Sequence, residues 1–297
     1  MYKKTNILLN LILLISLIFA SVGFTKGIDS ESEKVVISLG EDLNKEQRNQ
    51  ILDIFNVEES TKVIYVTNQE ERDYLSGYIK EELIGTRAIS SAYVMELEEG
   101  KGIDVETYNI TWVTKEMYKN ALITAGIEDA KVKIAAPIKV SGTAALTGII
   151  KAFEDVTGSK IDEEKKKVAN EEISRTGQLG DEIGKDNASE LVRRVKEEII
   201  SKDVKDESDI KKIIIEITGD LNINLNKEQI DTVTTLMKNI SKLDLNINEV
   251  KQQLKGVTEK INKVSEENKE VKSMLQRVLD FIRQLFAGIF AWLGDIL

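Results

Sequence analysis

From Val35 onward the chain alternates short β-branched runs with stretches in which apolar residues recur every three or four positions. Val35, Val36, Ile37 and Leu39 predict a strand. Asn44, with Gln47 three residues on, then predicts a reciprocally capped helix that buries Ile51, Leu52, Ile54 and Phe55. Lys62 to Val66 reads as the next strand, and Asn68 followed by Glu71 as the cap of a helix running through Tyr74, Leu75, Tyr78, Ile79 and Leu83 to Gly85. Residues 87–98 and 103–113 predict two strands joined as a hairpin through the turn at 99–102. Thr114 caps a helix carrying Met117, Tyr118, Ala121, Leu122 and Ala125, with Gly126 at its left-handed end. A strand at 130–135 is expected to stop at Pro137, and Ser141, Gly142 and Thr143 open a helix that closes at Gly158.

Helical texture alone follows. It covers 161–173, a glycine-punctuated turn at 176–184, 187–200, and an isoleucine-rich stretch from Asp209 to Gly219 that also fits a strand. Leu225 to Gln229 repeats the five letters of Leu43 to Gln47, so Asn226 is read as another capping residue. From Ile247 to Ile296, fifteen positions recur at alternating steps of three and four, and only Asn268 among them is polar. A continuous helix of that length would extend about 75 Å at ~1.5 Å per residue. Such a stripe packs on residues 160–240, self-associates or meets a partner. Its end broadens: Leu275, Ile282, Leu285, Phe286, Ile289, Trp292 and Ile296 are the candidate interaction residues.

The fold expected is therefore α+β or α/β. A mixed-sheet domain over 33–157 leads into a helical region at 159–240 and a long amphipathic helix or coiled coil at 247–297. Ahead of it, Lys3 and Lys4 precede an apolar run from Ile7 to Ala20, the pattern of a signal peptide over 1–23 with small residues near the cut. An uncleaved anchor is the alternative, although the run is shorter than the ~20 residues that span a bilayer.

Composition then removes whole chemistries. With no His and no Cys in 297 residues, His-dependent triads, thiol nucleophiles, disulfides and Cys/His metal clusters are excluded. The formal charge is −10, or −12 once Lys3 and Lys4 leave with a signal peptide, which argues against a nucleic-acid partner. The same balance leaves only weak apolar contact with a membrane surface, because the segment after Val278 carries two Asp and one Arg.

The segments TNQEERDYL, IGTRAISSAYV, VETYNITWVTKEMYKNALITAGI and above all AAPIKVSGTAALTGIIKAFE resemble the signature blocks of domain-of-unknown-function family 1002. That resemblance implies an exported or envelope-associated protein. It carries no activity, cofactor or catalytic residue onto this chain.

Polar and aromatic residues at predicted element ends, namely Ser90, Ser91, Tyr93, Thr111, Trp112 and the Ser141-Gly142-Thr143 junction, are where α/β domains place sites. Free N–H groups and two hydroxyls make Ser141, Gly142 and Thr143 a candidate anion site. Adjacent acids such as Glu70-Glu71, Glu81-Glu82 and Glu98-Glu99 read as solvated surface, and no metal or cofactor site is assigned. The sequence reading is an exported cell-envelope protein with a binding or structural role, with a possible envelope partner or self-association through the C-terminal helix. The alternative is an extracytoplasmic hydrolase using Asp, Glu and Ser without histidine.

Overall fold

A computed structural model describes residues 34–245, apart from Glu59, Lys80 and Ala144, together with Val250 and Gln253. The expected signal peptide (1–23) and nearly all of the heptad segment, including Leu275, Ile282, Leu285, Phe286, Ile289, Trp292 and Ile296, lie outside the described residues. Elements are numbered in order: β1 (Val35–Gly40), α1 (Lys45–Phe55), β2 (Lys62–Val66), α2 (Asn68–Leu75), α3 (Glu81–Ile84), β3 (Ser91–Glu96), β4 (Ile103–Ile110), α4 (Lys115–Thr124), β5 (Ala130–Val140), α5 (Ala145–Thr157), α6 (Glu163–Ile183), α7 (Lys185–Ser201), α8 (Glu207–Asp220) and α9 (Lys227–Ile240).

Helix starts follow capping chemistry. Asn44 Oδ1 accepts from Gln47 N at 2.9 Å while Gln47 Oε1 accepts from Asn44 N at 3.0 Å, and Asn226 and Gln229 repeat the arrangement at the start of α9. At α2 the cap lies one residue earlier than expected. Thr67 exchanges these bonds with Glu70, which leaves Asn68 as the first helical residue. The helix expected to reach Gly85 stops at Leu75, where Ser76 is extended and Gly77 has φ 90°, and resumes as α3.

The five strands form one mixed sheet in the order β2-β1-β3-β5-β4. Four strands point the same way and β3 alone runs against them. The expected hairpin between β3 and β4 does not form, because β5 inserts between them. Strand β5 pairs antiparallel to β3 and parallel to β4. Burial explains the order: β5 is covered along most of its first half, whereas β4 alternates buried Ile103 and Val105 with exposed, charged Asp104 and Glu106, as an edge strand requires. Asp129 holds the bridging loop by accepting from Gly100 N at 3.0 Å and from Gly102 N.

Pro137 does not end β5, which continues to Val140. Pairing with β3 ends at Ala135, and the register against β4 shifts between Tyr108 and Ile110, so the missing N–H falls where no ladder bond is due. Asn109, at φ 59°, donates from Nδ2 to Ala136 O at 2.9 Å across that shift.

Alternation along β1 sends Ile37 and Leu39 to a smaller core with Ile51 and Phe55 of α1, and Val36 to the main core on the other face. The main core is continuous from Val94 and Val132 of the sheet through Met117, Leu146, Ile173 and Leu191 to Leu236. Val250, the first described residue of the heptad stripe, is buried in it. Ile210, Ile214 and Ile217 lie on one face of α8 and are buried, which settles that stretch as helix.

The glycine-punctuated segment is also no turn, for α6 runs unbroken from Glu163 to Ile183. Gly177 is there because a Cβ would sit 2.1 Å from the Trp112 ring, and Trp112 Nε1 donates to Asp181 Oδ2 at 2.9 Å one turn on. Gly219 in α8 has open space around it.

Two expectations follow. Gly177→Ala should destabilise by about 1–3 kcal/mol through overpacking, while Gly219→Ala should stabilise by roughly 0.5–1 kcal/mol, both read as shifts of the thermal midpoint. A chain cut after Gly158 removes half of a shared core, so it should lack the cooperative unfolding transition of the longer chain; a sharp transition would instead establish 33–157 as a unit that folds by itself.

Candidate functional site

The carboxyl ends of β1, β2, β4 and β5 and the start of β3 gather at one end of the sheet. Ser90, Ser91, Thr111, Trp112 and Ser141 to Thr143 all fall there, as their positions at element ends suggested. Open sheets bind ligands outside such strand ends. Loops are cross-tied at this edge: Asp42 N donates to Ala88 O at 3.1 Å, Asp42 Oδ2 accepts from Ala88 N at 2.7 Å, and Arg87 donates to Asp42 O at 2.9 Å.

The hydroxyls of the candidate anion site are engaged. Ser141 Oγ and Thr143 Oγ1 both donate to Leu83 O, at 2.7 and 3.1 Å, and Tyr118 donates its hydroxyl to Gly142 O at 2.5 Å. They fasten α3 to the start of α5. Thr111 Oγ1 donates to Val140 O at 2.8 Å, and Tyr93 lies under the Lys133 ammonium at 4.9 Å from the ring centroid.

Glu71 was the residue missed. Expected in solvent beside Glu70, it is 1% exposed. It stands four positions before Leu75, which is wholly buried, and spacing of four puts both on one face of α2. That spacing was the available signal. Its Oε2 accepts from Asn68 Nδ2 at 3.2 Å, whereas Oε1 has no hydrogen-bond partner among the described residues. Burial, with the nearby charges of Asp42 and Glu70, pushes the carboxyl up to about 8, against the opposing effects of the Asn68 hydrogen bond and Arg72. Glu71 is thus mainly neutral at pH 7.

Its neighbour Glu70 goes the other way. Partial burial raises it, but the Lys151 ammonium at 2.5 Å and the Thr67 N–H outweigh that and hold it below the ordinary carboxylate range. Adjacent acids on one helix thereby hold opposite protonation states.

A second buried ionisable group is partnered in full. Lys196 on α7 is 0% exposed and donates to Asn120 O at 2.7 Å, Thr124 Oγ1 at 2.9 Å and Glu172 Oε1 at 2.6 Å. An ammonium has three N–H donors, and all three are used. Thr124 in turn donates to Glu172 Oε2 at 2.5 Å. Burial lowers the Lys196 pKa while Glu172 opposes the shift. This network joins α4, α6 and α7 and uses every N–H of the ammonium.

Among the described residues there is no group of three or more carboxylates that could hold a metal ion, and no helix long and apolar enough to cross a membrane. A family model described as a protein of unknown function, DUF1002, matches residues 39–257. The chain is 40% identical over 262 residues to the uncharacterized protein YpuA of Bacillus subtilis (strain 168), covering 88% of this chain and 90% of that protein. No solved structure matches.

Removing one partner of the buried pair should be far costlier than removing both. Lys196→Met leaves the buried Glu172 carboxyl without its cationic partner and should cost about 3–5 kcal/mol, whereas Lys196→Met with Glu172→Leu should recover most of that. Denaturant midpoints of the single and double variants check this.

Proposed function

Because the chain belongs to the DUF1002 family, we propose that it is an exported, envelope-associated protein with a binding or structural role, its C-terminal heptad segment serving as the interaction element. One observation supports the non-enzymatic reading above others. Ser141, Thr143, Asp42 and Asp181 at the sheet end serve as ties between elements: Ser141 and Thr143 donate to Leu83 O, Asp42 accepts from Ala88 N and Asp181 from Trp112 Nε1. A hydroxyl nucleophile is activated by a base that takes its proton, and both of these hydroxyl protons are given to a backbone carbonyl instead.

Export rests on Lys3, Lys4 and the apolar run to Ala20, and the interaction role on the stripe ending in Leu285, Phe286, Ile289, Trp292 and Ile296. The partner is an envelope protein or a second copy, and contact with a membrane surface is the weaker form of the same idea.

A hydrolase working through Asp, Glu and Ser is the second reading, favoured by a single feature. Glu70 and Glu71 are driven to opposite protonation states, the condition under which two carboxyls can divide acid and base roles.

Fractionation of the native host tests the first reading. A processed chain starting at Ser21 or Phe24 should be recovered with the envelope, and a chain lacking 276–297 should be released into the medium. Unprocessed protein in the cytoplasm would reject export, and identical partitioning of the two chains would reject the role of the tail.

A further inference from the structure

We propose that α2 and α3 form a proton-latched cap over the carboxyl ends of the strands, clamped while Glu71 is neutral and loosened when that side chain becomes charged. The cap has its own small core, Leu75, Ile79 and Ile84, separate from the two that hold the sheet. Leu83 packs against both this core and the main one. Gly77 and Gly85, with φ 90° and 74° and open space around them, punctuate the segment. A short segment with little apolar burial and glycine joints belongs to the low-stability end of a structure.

What fastens it is mostly polar. Ser141 and Thr143 hold Leu83 O, Gln178 Nε2 donates to Tyr78 O at 2.7 Å, and Tyr74 donates its hydroxyl to Glu163 Oε2 at 3.0 Å. Arg72 ties the two helices together through Asn68 Oδ1, Glu81 and Gly85 O. Glu71 is the exception among these ties, being buried with one oxygen unpartnered among the described residues.

The charged groups around it decide the sign. On its own helix are Glu70, ionised and paired with Lys151 of α5, and Arg72, engaged with Glu81 of α3. Asp42 approaches from the loop after β1, and Glu163 of α6 meets the helix through Tyr74. Asp42 and Glu70 oppose a negative charge on Glu71, and Arg72 favours it less than burial disfavours it. Closed, the carboxyl titrates at about 8; released to water it returns to about 4.5. A folded value raised above the free one means that closure is strongest in acid, weakens as pH rises through that interval, and changes no further above it.

Hydrogen exchange of the full chain at pH 5, 6, 7 and 8, corrected for intrinsic exchange, reads the cap against helix α9 as internal reference. Opening of residues 68–84 should increase by roughly tenfold per pH unit between pH 5 and 7 and by about half as much from pH 7 to 8, with α9 unchanged. In Glu71→Gln, which keeps the side chain neutral, the cap should stay closed and flat with pH. A wild-type cap whose opening does not depend on pH, or moves only together with α9, overturns the proposal, as does a pH dependence that survives in Glu71→Gln. The wild-type profile decides the matter even if the variant folds poorly.

Discussion

An ionisable group removed from water has two stable outcomes: every polar atom finds a partner, or the charge is given up. Lys196 takes the first course, and the arrangement of α4, α6 and α7 depends on it. Its three acceptors come from two other helices, so the observed approach of those helices to α7 is one that satisfies all three N–H groups of the ammonium. The main core then closes around this contact, from Met117 and Leu122 on α4 to Leu191 and Val195 on α7. Apolar burial supplies most of the driving force, but it is nondirectional, and the buried ion pair sets the register of the layers.

Glu71, on α2, takes the second course. Its carboxyl faces Asp42 and the neighbouring Glu70 and has a single amide donor, too little to keep it ionised. The two sites also differ in what holds them. Lys196 sits deep in the shared core, whereas Glu71 belongs to a segment whose own apolar cluster is three residues strong and whose remaining ties are hydrogen bonds.

Local signals in the sequence read well and long-range ones poorly. Asn44 with Gln47, Thr114, Asn226 with Gln229, and Gly126 each act within one helical turn, and each helix begins or ends where they indicated. The strands were legible too, but their partners were not. A turn rich in glycine between two β-rich runs suggests a hairpin, while the choice of β5 as the inner neighbour depends on which strand can be covered on both faces. Pro137 and the glycines of α6 misled for a related reason. A missing N–H or a missing side chain is read locally as a breaker, yet here each is explained by a neighbour far away in sequence: the end of β3 pairing and the Trp112 ring. At the site, the strand-end positions of Ser141 and Thr143 were correctly placed, but only the structure shows their hydroxyls occupied by Leu83.

Glu71 is the buried carboxyl that burial and its acidic neighbours drive toward the neutral form inside the folded chain. Carbon-13 detection of the glutamate side-chain carboxyls across pH 3 to 10, with the Glu71 signal assigned by its loss in Glu71→Gln, measures this directly. A midpoint near 8 is the predicted result. A midpoint near 4.5, the ordinary value for an exposed glutamate, would contradict it.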